Sequence, residues 1–187
     1  MSQVVIAGDI SGTITLQAPA VSGSNTLTLP AATGTVMVSG NMPAFSAYSN
    51  SNQTISNATY TLVTNNTEVF DTNSVFNNTA SGNAYAFQPT VAGYYQIIAS
   101  IRDNTGGVAN NQFISAIYKN GSGYSATITN FALATTVGIT SVCTTIVYLN
   151  GSTDYVQQYV YQNQGSNLTT NANATYSFFC GSMVRAA

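Results

Sequence analysis

FQPTVAGYYQIIASI, residues 87–101, carries the pattern that decides the fold. Pro89 and Gly93 punctuate its first half, and from Tyr94 onward β-branched and aromatic residues run without a charge until Arg102. Alternation puts Tyr95, Ile97, Ala99 and Ile101 on one face and Tyr94, Gln96, Ile98 and Ser100 on the other. Successive side chains of a strand point to opposite faces. The run therefore predicts a strand with its first set in a core and its second at a semi-polar contact.

The same punctuation recurs along the chain. Short runs rich in Tyr, Val, Ile, Thr and Phe are separated by Gly, Asn and Ser clusters, and no segment shows helical periodicity. Strands are expected at 44–49, 59–64, 69–72, 94–102, 111–119, 125–134, 140–149, 154–162 and 175–184. Asn120-Gly121 and Asn150-Gly151 are turn signals, since both residue types tolerate positive φ. This succession of strands predicts an all-β, double-sheet jelly-roll sandwich. In the strand at 154–162, Val156 and Val160 share a face with two glutamines, while Tyr155, Tyr159 and Tyr161 form a column on the other. Those three tyrosines are the candidate contacts between subunits.

Only 4% of the residues are charged, against roughly 25% in an average soluble domain. Three basic residues and a net charge of −2 argue against nucleic-acid binding and against docking to anionic membranes. A surface built from Asn, Thr, Ser and Gly suits a chain packed against copies of itself, where each buried charge would cost several kcal/mol unless paired. No stretch approaches the ~20 apolar residues of a membrane span, and the opening MSQVVIAGDISG lacks a basic region and a long apolar run, so no secretory signal is expected. Assembly in a host cytoplasm is the expectation that follows. Cys143 and Cys180 each sit in an apolar run and are expected to be buried free thiols, with one disulfide as the alternative. The eight Asn-X-Ser/Thr triplets are read as a product of composition rather than as glycosylation sites.

Residues 1–41 differ from the rest: no aromatic occurs before Phe45. Ile14 and Leu16 alternate with Thr13, Thr15 and Gln17; Leu27 and Leu29 alternate with Thr26 and Thr28; Val36 and Val38 flank Met37. Pro19 and Pro30 close the first two runs. These runs hold too few bulky residues to enclose a core. Residues 1–41 are therefore expected to be an extended β-rich attachment arm anchored by Ile14, Leu16, Leu27 and Leu29, with residues 42–187 forming the head.

Phe87, Gly93, Tyr95 and Ile97, at that spacing, resemble the central signature of the complement globular-head family, the tumour-necrosis-factor-like jelly roll. Ile97 and Ala99 stand where that family usually has an aromatic, and Ala80 stands where it has a larger hydrophobic residue. Three further stretches fall in the family's order: IYKNG at 117–121, LNGSTDYVQQYV at 149–160 and FFCGSMV at 178–184. The arm, from GDISGTITLQ onward through residue 36, is similar to a segment that recurs beside jelly-roll or fibre domains in tailed-phage structural proteins. The resemblance implies a homotrimer, other virion proteins (capsid or tail) as partners of the arm, and a virion surface as the location.

Catalysis is not expected. The chain has no histidine, the commonest general base, and only five carboxylates, Asp9, Glu68, Asp71, Asp103 and Asp154. No cofactor is expected either. Asp103 and Asn104 offer oxygen atoms of the kind calcium takes, although Asp and Asn are equally ordinary turn residues. Twelve tyrosines without a tryptophan raise contact with a host surface glycan, since tyrosine joins an apolar face to a polar tip. Candidate binding residues lie in polar loops: Asn104, Asn110 and Asn111; Tyr124; and Asn163, Asn167 and Asn171. Their composition suits adaptable binding and plain solvent exposure alike. The function expected from the sequence is a short trimeric surface fibre or spike of a tailed phage, held by the arm with the head outward. A capsid decoration protein is the first alternative and a soluble carbohydrate-binding module the second.

Overall fold

The computed structural model describes residues 3–7, 11–17, 19–21, 23, 24, 26, 36–38, 40, 42–131 and 137–187. By its contacts the chain divides into two units, Met1–Gly34 and Thr35–Ala187. Strands β1 (Gln3–Ala7) and β2 (Thr13–Gln17) belong to the first. The second holds β3 (Ala44–Tyr48), β4 (Thr54–Ile55), β5 (Thr61–Leu62), β6 (Thr67–Asp71), β7 (Ala86–Phe87), β8 (Gly93–Arg102) and β9 (Gln112–Lys119). It continues with β10 (Ser122–Asn130), β11 (Thr140–Leu149), β12 (Val156–Gln162), β13 (Leu168–Thr169) and β14 (Phe178–Ala186).

Two five-stranded antiparallel sheets make the sandwich of the second unit. Sheet I has the order β11-β8-β14-β3-β6, and sheet II runs β10-β9-β12-β5 with β7 also paired to β12. The chain changes sheet between β8 and β9, β10 and β11, β11 and β12, and β12 and β14, whereas the β9–β10 hairpin stays within sheet II. Repeated crossing between two antiparallel sheets is the jelly-roll winding, and the head is an all-β double-sheet jelly roll. At the β9–β10 turn Asn120 and Gly121 both take positive φ, as the Asn-Gly signal predicts.

Most of the opening stretch forms β8, an interior strand of sheet I, while Phe87 lies on β7 of sheet II. β8 pairs with β11 from Gly93↔Leu149 to Arg102↔Thr140 and with β14 on its other side. Tyr95, Ile97, Ala99 and Ile101 are fully buried between the sheets, as the alternation predicts. The outward set is less uniform: Tyr94 is exposed, but Ser100 is buried and donates to the Tyr176 carbonyl at 2.6 Å. Two glycines of the recognised motifs mark close backbone approaches. A Cβ on Gly93 would meet the Arg185 carbonyl at 2.5 Å, and one on Gly181 would meet the Gln96 carbonyl at 2.8 Å and the Ile97 side chain at 2.6 Å.

Two apolar clusters fill the sandwich. The larger is built around Phe45, whose ring stacks on Phe87 at 4.3 Å and on Phe76 at 5.0 Å and meets Phe179 edge-on at 5.0 Å. The smaller contains Ile55, Ile101, Phe113, Phe131 and Val160. Buried polar groups lie among these apolar residues on the inner strands. Gln158 donates to the Ser100 carbonyl at 2.9 Å and accepts from Asn65 Nδ2 at 3.0 Å. Ser115 Oγ donates to the Ala99 carbonyl at 2.7 Å, and its N–H donates to Ser141 Oγ. Each of these groups has a partner, which is the condition for burying it at low cost.

Several strand boundaries differ from the sequence reading. The expected strand at 59–64 is only Thr61–Leu62, because Ala58 turns with positive φ and Thr59 Oγ1 bonds the Asn57 carbonyl. β12 begins at Val156 rather than at residue 154, since Asp154 and Tyr155 are tied to the neighbouring turns. Residues 132–134 of the expected 125–134 strand lie outside the described residues. β4, β7 and β13 are two residues long, too short for alternation to reveal. Both cysteines are free, Cys143 buried and Cys180 half-buried.

In the first unit, β1 and β2 form an antiparallel ribbon with Val4 opposite Leu16 and Ile6 opposite Ile14. Directly opposed residues share a face, so these four side chains make one apolar surface, each 54–66% exposed. Leu27 and Leu29 lie outside the described residues.

Candidate functional site

Six of the seven candidate loop residues come together at one end of the sandwich, where β8 and β12 end and β9 begins. Asn171 Nδ2 donates to Asn104 Oδ1 at 3.2 Å, and the Asn171 N–H donates to the Arg102 carbonyl. Asn163 Oδ1 accepts the Gln112 N–H at 2.7 Å, and Asn167 Oδ1 accepts that of Asn57 at 3.3 Å. Asn110 takes positive φ, and its N–H bonds the Phe131 carbonyl; beside it, the Asn111 carbonyl accepts the Phe131 N–H. Amides of these asparagines thus brace the loops against one another. Tyr124 lies at the opposite end of β9 and β10, two residues into β10 after the hairpin turn.

Asp103 lies beneath that loop end, fully buried. Its carboxylate accepts from the backbone N–H of Gly106 at 2.5 Å and from that of Ile139. Burial pushes this carboxyl above its usual range, against the pull of the Ile139, Gly106 and Thr105 N–H groups and the Arg102 charge. Both oxygens are engaged by backbone donors, so Asp103 holds two loops together and does not face solvent as an open calcium ligand. Among the described residues no three His, Cys, Asp or Glu side chains gather to hold a metal.

Asp71 and Asp154 are similarly occupied. Asp71 accepts the N–H groups of Asn73 and Phe76. Asp154 accepts from Asn120 Nδ2 at 2.8 Å and Asn150 N–H at 3.2 Å and pairs with Lys119 Nζ at 2.9 Å. These bonds, Asn120 first and then Lys119, hold its carboxyl below the usual range. Glu68 is exposed on β6, and Asp9 lies outside the described residues.

Of the candidate subunit contacts, Tyr159 and Tyr161 face outward from sheet II, half-buried by other tyrosines. Tyr159 stacks on Tyr118 at 4.0 Å between centroids, and Tyr60 lies 4.9 Å from Tyr161 and 5.7 Å from Tyr118. Tyr155 stands apart, just before β12, its N–H bonded to Asn120 Oδ1. Sequence reasoning missed Tyr118 and Tyr60. Tyr118 has the parity of an outward residue in IYKNG, but nothing in the sequence places Tyr60 beside it.

The outer face of sheet I is more open. Tyr94 and Tyr148 are directly opposed across β8 and β11 with rings 5.5 Å apart, and Val142 and Ile146 continue the row on β11. These four side chains are 40–56% exposed. Phe70 and Val184 add to the exposed apolar surface of the same sheet.

The jelly roll is similar in fold to solved structures of tumour-necrosis-factor-like proteins. Among solved structures, murine APRIL at pH 5.0 is similar over 76% of this chain and 99% of its own, with a TM-score of 0.57 at 8% identity. Eiger TNF from S. frugiperda is similar over 79% of this chain and 95% of its own, with a TM-score of 0.51 at 8% identity. Likeness at that identity establishes the fold and nothing finer. No family model matches the sequence, and no curated protein matches it significantly.

Proposed function

We propose that this chain is a non-enzymatic structural protein of a tailed-phage virion: a short trimeric surface spike, anchored by the N-terminal arm, with the jelly-roll head outward. The observation that carries this reading is the open apolar row Tyr94, Val142, Ile146 and Tyr148 on sheet I. An exposed apolar face of this kind marks an interaction surface. On a chain with so few charges it fits copies of the same surface better than a charged partner. Of the three contacts expected from the sequence, Tyr159 and Tyr161 already engage Tyr118 and Tyr60 within the chain and Tyr155 stands apart from them, so we put the contact between subunits on sheet I. The arm's resemblance to tailed-phage segments supports the location, and the uncovered quartet Val4, Ile6, Ile14 and Leu16 supports its anchoring role.

Sedimentation of the full chain at micromolar concentration should give a trimer, and Ile146→Glu should give a folded monomer by the same measurement with unchanged far-UV circular dichroism. A monomeric wild type would sink the trimer. A version starting at residue 42 should fail to enter particles. Density for the protein at regular lattice positions of the capsid, rather than at the tail or vertices, would replace the spike by a decoration role.

A further inference from the structure

We infer that the trough on the outer face of sheet II, floored by Ala116, Ala126 and Gly123 and walled by Tyr60, Tyr118 and Tyr124, is a binding site for a neutral saccharide. The trough has a volume of about 290 Å³. It exists because the sequence places small residues at its centre. Ala116 on β9 is opposite Ala126 on β10, so two adjoining outward positions of an otherwise aromatic face carry only a methyl group. Beyond them the paired Ile114 and Ile128 close the floor toward the loop end.

The walls are held in place before any ligand arrives. Tyr118 is stacked on Tyr159, and Tyr60 is wedged between Tyr161 and Tyr118. The opposite wall comes from a β-bulge: the β9–β10 register shifts between Gly123 and Ser125, leaving Tyr124 as the extra residue. Bulges re-aim a side chain, and here the result is a tyrosine 48% exposed with its hydroxyl 3.3 Å from the Ile146 carbonyl. Rings fixed in this way lose little freedom on binding.

The chemistry of the lining selects the ligand. Apart from the tyrosine phenols the trough holds no acid or base. Lys119, the base nearest in sequence, is paired with Asp154 and bonded to the Tyr148 carbonyl. An anionic or cationic ligand would find no counter-charge. A hexose offers apolar C–H faces to the rings and hydroxyls to the tyrosine tips. A polyproline segment would need a longer groove than a single compartment closed by Ile114 and Ile128. Of the residues expected from the sequence to bind, Tyr124 alone belongs to this site. The inference does not depend on the virion reading.

The test is a titration of the full-length protein, labelled with 13C in its tyrosine rings. The probes are galactose-, glucose- and N-acetylhexosamine-terminated oligosaccharides, with a sialylated oligosaccharide and a polyproline peptide for comparison. At least one neutral sugar should shift the Tyr60, Tyr118 and Tyr124 signals saturably. Tyr124→Ala, which removes an exposed wall, and Ala126→Trp, which fills an exposed floor position, should each weaken binding about tenfold or more while thermal midpoint and circular dichroism stay unchanged. No saturable shift with any neutral sugar would overturn the site, as would binding that survives both variants. Shifts produced only by the sialylated glycan or the peptide would overturn its ligand class. Ring shifts that follow protein concentration without sugar would assign the face to a second copy of the chain instead.

Discussion

Replacing Gln158 by leucine is the sharpest probe of how the head is held together. Gln158 is fully buried, and its amide joins the Ser100 carbonyl on sheet I to the Asn65 side chain. Leucine keeps the approximate volume but strands two buried polar groups, Asn65 Nδ2 and the Ser100 carbonyl. Each stranded group costs about 1–3 kcal/mol, and the added apolar surface returns about 1 kcal/mol. The net loss should be about 1–5 kcal/mol, or a fall of roughly 10 °C in thermal midpoint at the middle of that range for a domain of this size. Urea unfolding followed by far-UV circular dichroism reads this, with protein concentration held fixed because association also stabilises. Adding Asn65→Val removes the stranded donor, so the double variant should be more stable than the sum of the single losses predicts, by about 1–2 kcal/mol. If Gln158→Leu is as stable as the wild type, the polar groups between the sheets are incidental and the reasoning fails.

Two further perturbations test the strand junctions. Asp154→Asn breaks the Lys119 pair and should cost about 1–2 kcal/mol at neutral pH. The Asp154 carboxyl is held below its ordinary 3.8, so its contribution is present above that value and is lost as pH falls through the lower folded value. The gap between wild type and variant should therefore narrow as pH falls below the ordinary carboxylate range, and a gap that widens on acidification would contradict this assignment. Gly181→Ala forces a methyl group against the Gln96 carbonyl and Ile97, and should cost about 1–3 kcal/mol in the same unfolding assay. A neutral result there would mean that β14 and β8 separate easily.

The core strands were legible because alternation reports which face is buried. Tyr95, Ile97, Ala99 and Ile101 could be placed from the sequence, and so could the Asn120-Gly121 turn. Sites made by strand neighbours were not legible. Tyr60 reaches Tyr118 and Tyr161 only because β5 pairs with β12, and two paired residues leave no periodic signal. Asp103 looks like an open ligand in the sequence because one of its two backbone donors, Ile139, is far away along the chain, although the other, Gly106, is close by. The Val4 and Ile6 half of the ribbon face is not legible from its own short run, because the face exists only once Leu16 and Ile14 lie across from it.

Alternation fixes which face of a strand is buried, but it leaves a two-residue slip undecided, because every side chain then stays on its own face. In β12 the inward sequence is Val156, Gln158, Val160, Gln162. A slip of two would put valine where Asn65 Nδ2 and the Ser100 carbonyl require an amide, and glutamine where the apolar clusters receive Val156 and Val160. Both exchanges strand polar groups, at about 1–3 kcal/mol each. Gln162 repeats the constraint at the strand end, where its Nε2 bonds the carbonyls of Ile55 and Ser166. Most charged devices for setting register are missing from a chain with this composition, and buried amides do that work here. The same register lays Tyr159 beside Ala116 on β9, so the tyrosine that backs Tyr118 in the trough wall is placed from inside the sandwich.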